Sequence, residues 1–327
     1  MAEIVLDGLP PFRPRLPWWG PDLQTIRSVI VKSCALDGHS GERLFFPLGD
    51  GDRLAAMLNR AKSASKLPLI VLVHGLTGLE DSFYMCESAG HYLSRGFSVL
   101  RLNLRGAGRS RPYCRTQYHA GSSDDLARLF ASLPAELTAN GVVAVGYSLG
   151  ANLLLKYLGE YGDAAKVDAA AVVSAPLDLA ATSRRLSAWR NFGYQRYLLR
   201  YMKAEAIAPG AELSSAERRS VLGARSVWEF DHVYSAPRAG FDGAGDYYAR
   251  NSSGQFLAGV TVPTLVIHAL DDPWIPSAPY RAFDWQSHPN LHDVLTLRGG
   301  HVGFHGGDIA AWHDLAIARF FESLSGP

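Results

Sequence analysis

Residues 142–150 read Val-Val-Ala-Val-Gly-Tyr-Ser-Leu-Gly, and no other stretch restricts the fold of this chain as tightly. A run rich in β-branched residues enters a Gly-x-Ser-x-Gly pentapeptide, Gly146 to Gly150, and leaves it into a helical pattern. A strand that turns sharply into a helix needs glycines around the turn, because side chains there would hold the two elements apart. Such a turn lifts the Ser148 hydroxyl above the end of a sheet. It implies an α/β architecture and a serine presented for covalent attack.

The neighbouring pattern is of the same kind. Strand-like runs at 69–73, 97–102, 142–146 and 167–173 alternate with helical patterns near 82–94, 122–133 and 149–160. This alternation predicts βαβ units and a mostly parallel central sheet flanked by helices. Residues 43–47 and 53–58 flank Gly49-Asp50-Gly51 and read as a β-hairpin. The rhythm stops near 178. It resumes with strands at 262–268 and near 293–297 and a final amphipathic helix over roughly 308–323. The stretch between is rich in Arg, Trp, Tyr and Phe, and reads as a helical cap insertion over the sheet. Residues 8–21 hold five prolines, which forbid a helix and predict an extended arm. The expected organisation is an arm over 1–40 packed on the core, a core of 41–177 and 259–327, and a cap over 178–258.

Composition narrows the partners. With 32 basic against 31 acidic residues, the formal net charge is +1, which gives no footing to nucleic acid or to an acidic polymer. Cys34, Cys86 and Cys114 are odd in number and lack metal-ligand spacing, as in a reduced cytoplasmic protein. The first residues, Met-Ala-Glu-Ile-Val-Leu-Asp, lack the basic start and apolar run of a signal peptide. The apolar runs are too short to span a bilayer, so the expectation is a soluble protein, at most a surface visitor to membranes. No metal is expected, since His301, His305 and His313 lack an H-E-x-x-H arrangement. No cofactor is expected either: neither Gly106-Ala107-Gly108 nor Gly240 to Gly245 has the setting of a dinucleotide loop.

A serine hydroxyl needs a base to take its proton and an acid to orient that base. In a chain with this elbow the order is Ser, then Asp or Glu, then His. The strand at 262–268 runs into Ala269-Leu270-Asp271-Asp272-Pro273, where Asp272 is the first choice for the acid. Asp271 is its immediate rival and the better candidate for merely capping the turn. Asp178, one strand earlier, is third. For the base, Gly299-Gly300 can bring His301 back over the sheet, with His305 competing. The oxyanion calls for two backbone N–H groups. Leu149, after the nucleophile, supplies one; Leu76, in His74-Gly75-Leu76-Thr77-Gly78, supplies the other.

Several stretches together carry a resemblance: Trp19-Gly20-Pro21-Asp22-Leu23-Gln24-Thr25, His74 to Gly78, Leu102 to Gly108, Gly146 to Asn152, Ala269 to Pro273, and Gly299 to Gly303. Over nearly its whole length the chain resembles the α/β-hydrolases. Within them it is similar to a bacterial esterase-like group related to mammalian α/β-hydrolase-domain lipases and yeast medium-chain acyl ethyl ester synthase/esterases. The resemblance implies a serine hydrolase, a carboxylesterase acting on small short- to medium-chain acyl esters. It puts the triad on Ser148, Asp272 and His301. Acyl transfer to an alcohol is the alternative, and phospholipase action or a non-catalytic scaffold stands further off. The expectation is that the chain departs from the eukaryotic members in lacking their N-terminal anchor.

Overall fold

The computed structural model describes residues 9–31, 36, 38–62, 65–306 and 310–324. The expectations that rest on residues 1–8, Cys34 and the 308–309 start of the last helix lie outside these. Eight strands form one sheet: β1 (Gly41–Pro47), β2 (Arg53–Asn59), β3 (Leu69–Val73), β4 (Val99–Leu102), β5 (Val142–Tyr147), β6 (Ala169–Val173), β7 (Thr264–Ala269) and β8 (Leu291–Thr296). The spatial order is β1-β2-β4-β3-β5-β6-β7-β8. β1 and β2 form the antiparallel hairpin, closed at Pro47 opposite Arg53, and β2 runs antiparallel to β4. From β4 across to β8 all pairings are parallel.

The residue types explain the layering. β3, β5, β6 and β7 are buried along their whole length, as strands covered on both faces must be. One face packs against helix Leu149–Tyr161 and the other against helices Phe83–Ser94 and Trp312–Leu324, giving two apolar cores. Parallel pairing also sends the carboxyl ends of β3, β5, β7 and β8 to the same rim. The loops carrying Leu76, Ser148, Asp272 and His301 leave from that rim, where open α/β sheets bind their ligands.

The arm is extended only up to Gly20. The last of its five prolines begins a helix, Pro21–Ile30, because proline is tolerated at the first helical position, where the missing N–H has no acceptor to meet. Helices fill residues 178–258 between β6 and β7, including Leu179–Leu186, Phe192–Ala206, Ser215–Gly223 and Ala244–Asn251. Their aromatics divide. Phe230, Tyr234, Tyr247 and Tyr248 are buried in two small apolar clusters, whereas Trp189 and Phe192 stack on one another at the surface.

Candidate active site

Ser148 sits between the end of β5 and the first residue of the following helix, with φ 52° and ψ −117°. That is a strained conformation for a residue with a side chain, and it persists only because the surroundings over-determine it. Gly150 is the tightest point of the elbow. A Cβ there would meet the carbonyl oxygens of Val73 and His74 at 2.4 Å, so helix and β3 touch backbone to backbone. At Gly146 a Cβ would lie 2.7 Å from the Ala151 Cα and the Gly150 carbonyl. Ser148 N–H donates to the Val173 carbonyl at 2.9 Å, which fixes the turn to β6.

His301 Nε2 lies 2.9 Å from Ser148 Oγ, and His301 Nδ1 lies 2.8 Å from Asp272 Oδ2. A carboxylate only accepts, so the Asp272 contact places the imidazole proton on Nδ1 and leaves Nε2 free to accept from Ser148. The other oxygen of Asp272 accepts from the amides of Trp274 and Ile275 at 2.7 and 2.9 Å. Burial pushes the Asp272 carboxyl up, but the charge and hydrogen bond of His301 outweigh it, and its pKa falls below the usual carboxylate value. Trp274 stacks on the imidazole, with ring centroids 4.3 Å apart, and covers its face.

The competing residues stand elsewhere. Asp178 caps helix Leu179–Leu186 by accepting from the Ala181 amide at 2.8 Å. Asp271 accepts from the Gly300 amide at 2.9 Å and so holds the His301 loop, while Asp272, not Asp271, caps the turn around Pro273. His305 is buried beside Arg27, and burial followed by that charge lowers its pKa to about 3.

The His301 loop is strained, with φ 51° at Val302 and 53° at Phe304, while Gly300 takes φ 62° at no steric cost. The groups that hold it come mostly from the far end of the sequence. Thr25 Oγ accepts from the His301 amide at 2.9 Å. Gln24 accepts from the His305 amide at 2.6 Å and donates to the carbonyls of Trp18 and His305 at 2.6 and 3.0 Å. Ser174 Oγ accepts from the Val302 amide at 3.2 Å. Residue-by-residue reading of the sequence gives Gln24 and Thr25 no role. Their signal was the uncharged, hydrogen-bonding Leu-Gln-Thr following a proline-rich arm. Replacing Gln24 by Leu strands a buried N–H and a buried C=O of His305. The expected cost is about 1–3 kcal/mol per stranded group, read as a lower urea midpoint together with a lower kcat. An unchanged midpoint would show that the arm does not fasten this loop.

Ser148 and His301 open onto a cavity of about 740 Å³, in the range of small-molecule sites. Its wall includes Leu76, Leu149 and Trp274 from the core and Met202, Glu205 and Phe230 from the helical segment. Leu149 is the first residue of its helix, so its N–H has no acceptor within the helix. The amides on either side of Leu76 donate to tyrosine hydroxyls, Gly75 to Tyr84 and Thr77 to Tyr118. Among the described residues there is no cluster of His, Cys, Asp or Glu suited to a metal, and no helix is long and apolar enough to cross a membrane.

Residues 68–308 match the family model described as the alpha/beta hydrolase fold. The chain is 35% identical to YheT of Escherichia coli, which carries an esterase's name, over 82% of this chain and 79% of that protein. It is 31% identical to the medium-chain fatty acid ethyl ester synthase/esterase 2 of Saccharomyces cerevisiae, over 79% of this chain and 62% of the yeast protein. With phospholipase ABHD3 of Mus musculus the identity is 30%, over 74% and 59%. The yeast and mouse matches thus leave about two fifths of those proteins uncovered. The solved structure of esterase Pf2001 from Pyrococcus furiosus shares the fold, with a TM-score of 0.59 at 14% identity over 96% of this chain and 99% of that one. On the family match and the extent of these alignments, the chain belongs to the alpha/beta hydrolase fold family and is a hydrolase.

Proposed function

We propose that this hydrolase cleaves carboxylic esters of short- to medium-chain acids through an acyl-enzyme on Ser148. One observation carries the reading: a hydrogen-bonded line from a buried carboxylate, Asp272, through His301 to the Ser148 hydroxyl at the edge of a cavity. Ser148 Oγ attacks the ester carbonyl while His301 Nε2 takes its proton. The carbonyl electrons move onto oxygen, which the amides of Leu76 and Leu149 stabilise. His301 then protonates the leaving alcohol. A water deprotonated by the same imidazole releases the acid, and Asp272 stays ionised throughout. In this reading residues 178–258 act as the cap under which the acyl chain lies, and the arm over residues 9–31 acts as a brace on the core.

The names of the Escherichia coli and yeast relatives support ester chemistry, and the yeast name adds a second outcome, transfer of the acyl group to ethanol. A p-nitrophenyl ester series from acetate to palmitate, with and without ethanol, tests both. The expected result is a kcat/KM maximum at short to medium chains and free acid as the main product. A flat series without turnover would sink the esterase reading, and a product dominated by ethyl ester in dilute ethanol would replace it by acyl transfer.

A further inference from the structure

The two amides assigned to the oxyanion belong to the core, yet the side chains of the same residues also pack on the helical segment. Leu76 lies against the cluster of Leu199, Met202, Phe230 and Tyr234. Leu149 lies against the cluster of Leu179, Ala244, Tyr247 and Tyr248. A polar link runs beside the first contact. Thr77 N–H donates to the Tyr118 hydroxyl at 2.8 Å, and that hydroxyl donates to Glu205 Oε2 at 3.3 Å. Glu205 comes from helix Phe192–Ala206.

The link acts on a strained position. Thr77 has φ 57°, a conformation that costs a residue with a side chain about 1–3 kcal/mol and needs outside support. Tyr118 has a single proton, so while its oxygen accepts from Thr77 that proton is directed to Glu205, which fixes the orientation of the hydroxyl. Burial raises the Tyr118 pKa well above the ordinary tyrosine value, so the hydroxyl keeps that proton. On the other side of Leu76, the Gly75 amide is tied to Tyr84 at 2.9 Å. The Leu76 donor therefore hangs between two tyrosines, and one of them is completed from the helical segment.

We propose that Tyr118 and Glu205 are positioning residues for the Leu76 oxyanion donor, so that the helical segment sets the geometry of the oxyanion site as well as covering it. The inference rests on the esterase reading. Neither residue bonds to Ser148 or His301. Both side chains line the cavity, and on this proposal their loss weakens stabilisation of the developing alkoxide more than ground-state binding.

The test compares Tyr118→Phe, Glu205→Ala and Glu205→Gln with the wild type on p-nitrophenyl butyrate, together with inhibition by an alkyl trifluoromethyl ketone. With the ketone a bond forms from Ser148 Oγ to the carbonyl carbon. The carbonyl π pair moves onto oxygen as an alkoxide, and the serine proton passes to His301. The adduct therefore reports on the oxyanion donors. Tyr118→Phe and Glu205→Ala are expected to lower kcat about tenfold, the worth of one hydrogen bond, with KM changed less than twofold. Ketone affinity falls by a similar factor. Glu205→Gln, whose carbonyl still accepts from Tyr118, recovers most of the loss. A change in KM alone, or unaltered ketone affinity in Tyr118→Phe and Glu205→Ala, overturns the proposal. A wild-type protein inert to both ester and ketone overturns the esterase reading beneath it.

Discussion

Replacing Ser148 by Ala is expected to lower kcat by about 10⁶-fold, as in other serine triads, and to abolish labelling by a fluorophosphonate probe. In the proposed mechanism the substitution removes the atom that forms the acyl-enzyme. It leaves the cavity, the oxyanion amides and the elbow backbone in place, and so leaves substrate binding nearly intact. His301→Ala should cost about as much. The double variant should cost no more than either single one, because base and nucleophile act as a unit. Substantial turnover in Ser148→Ala would mean that the chemistry runs through another residue.

Asp272→Asn is expected to lower kcat about 10⁴-fold with little change in KM. The direction follows from the turn that Asp272 caps. Two amides, those of Trp274 and Ile275, donate to Oδ1, so the Asn carbonyl oxygen must stay there. That puts the Asn NH₂ group where Oδ2 now meets His301 Nδ1. Facing a donor, Nδ1 must accept, the ring proton moves to Nε2, and the imidazole can no longer take the Ser148 proton. Asp271→Asn is the control. Its carbonyl can still accept from the Gly300 amide, and the expected loss is under tenfold. A larger loss in Asp271→Asn than in Asp272→Asn would reverse the assignment of the acid.

The parts of this molecule legible in the sequence are those set by local pattern. Strand-length apolar runs flanked by helical periodicity put β3 to β7 close to where they lie, since a strand buried on both faces needs an unbroken apolar run. Chain order singled out Ser148, Asp272 and His301, because each follows a strand whose carboxyl end reaches the same rim. The remaining features depend on contacts between distant segments. The helix starting at Pro21 is hidden by the four prolines that precede it in the arm. Reading Asp271 as the turn cap and Asp272 as the acid divides two tasks that Asp272 performs with its two oxygens. The link from Glu205 through Tyr118 to Thr77 joins three separate stretches, and no periodicity within any of them announces it.

The grip of the arm on the His301 loop has a consequence for how the protein becomes active during its own synthesis. Thr25, which receives the His301 amide, is made 276 residues before it. The Ser148 elbow, and the Val173 carbonyl of β6 that holds it, also precede His301 in the chain. In the proposed mechanism a chain that has not yet reached His301 lacks the base that activates Ser148. In the proposed mechanism catalytic competence therefore requires the loop near the carboxyl end to meet the helix near the amino end.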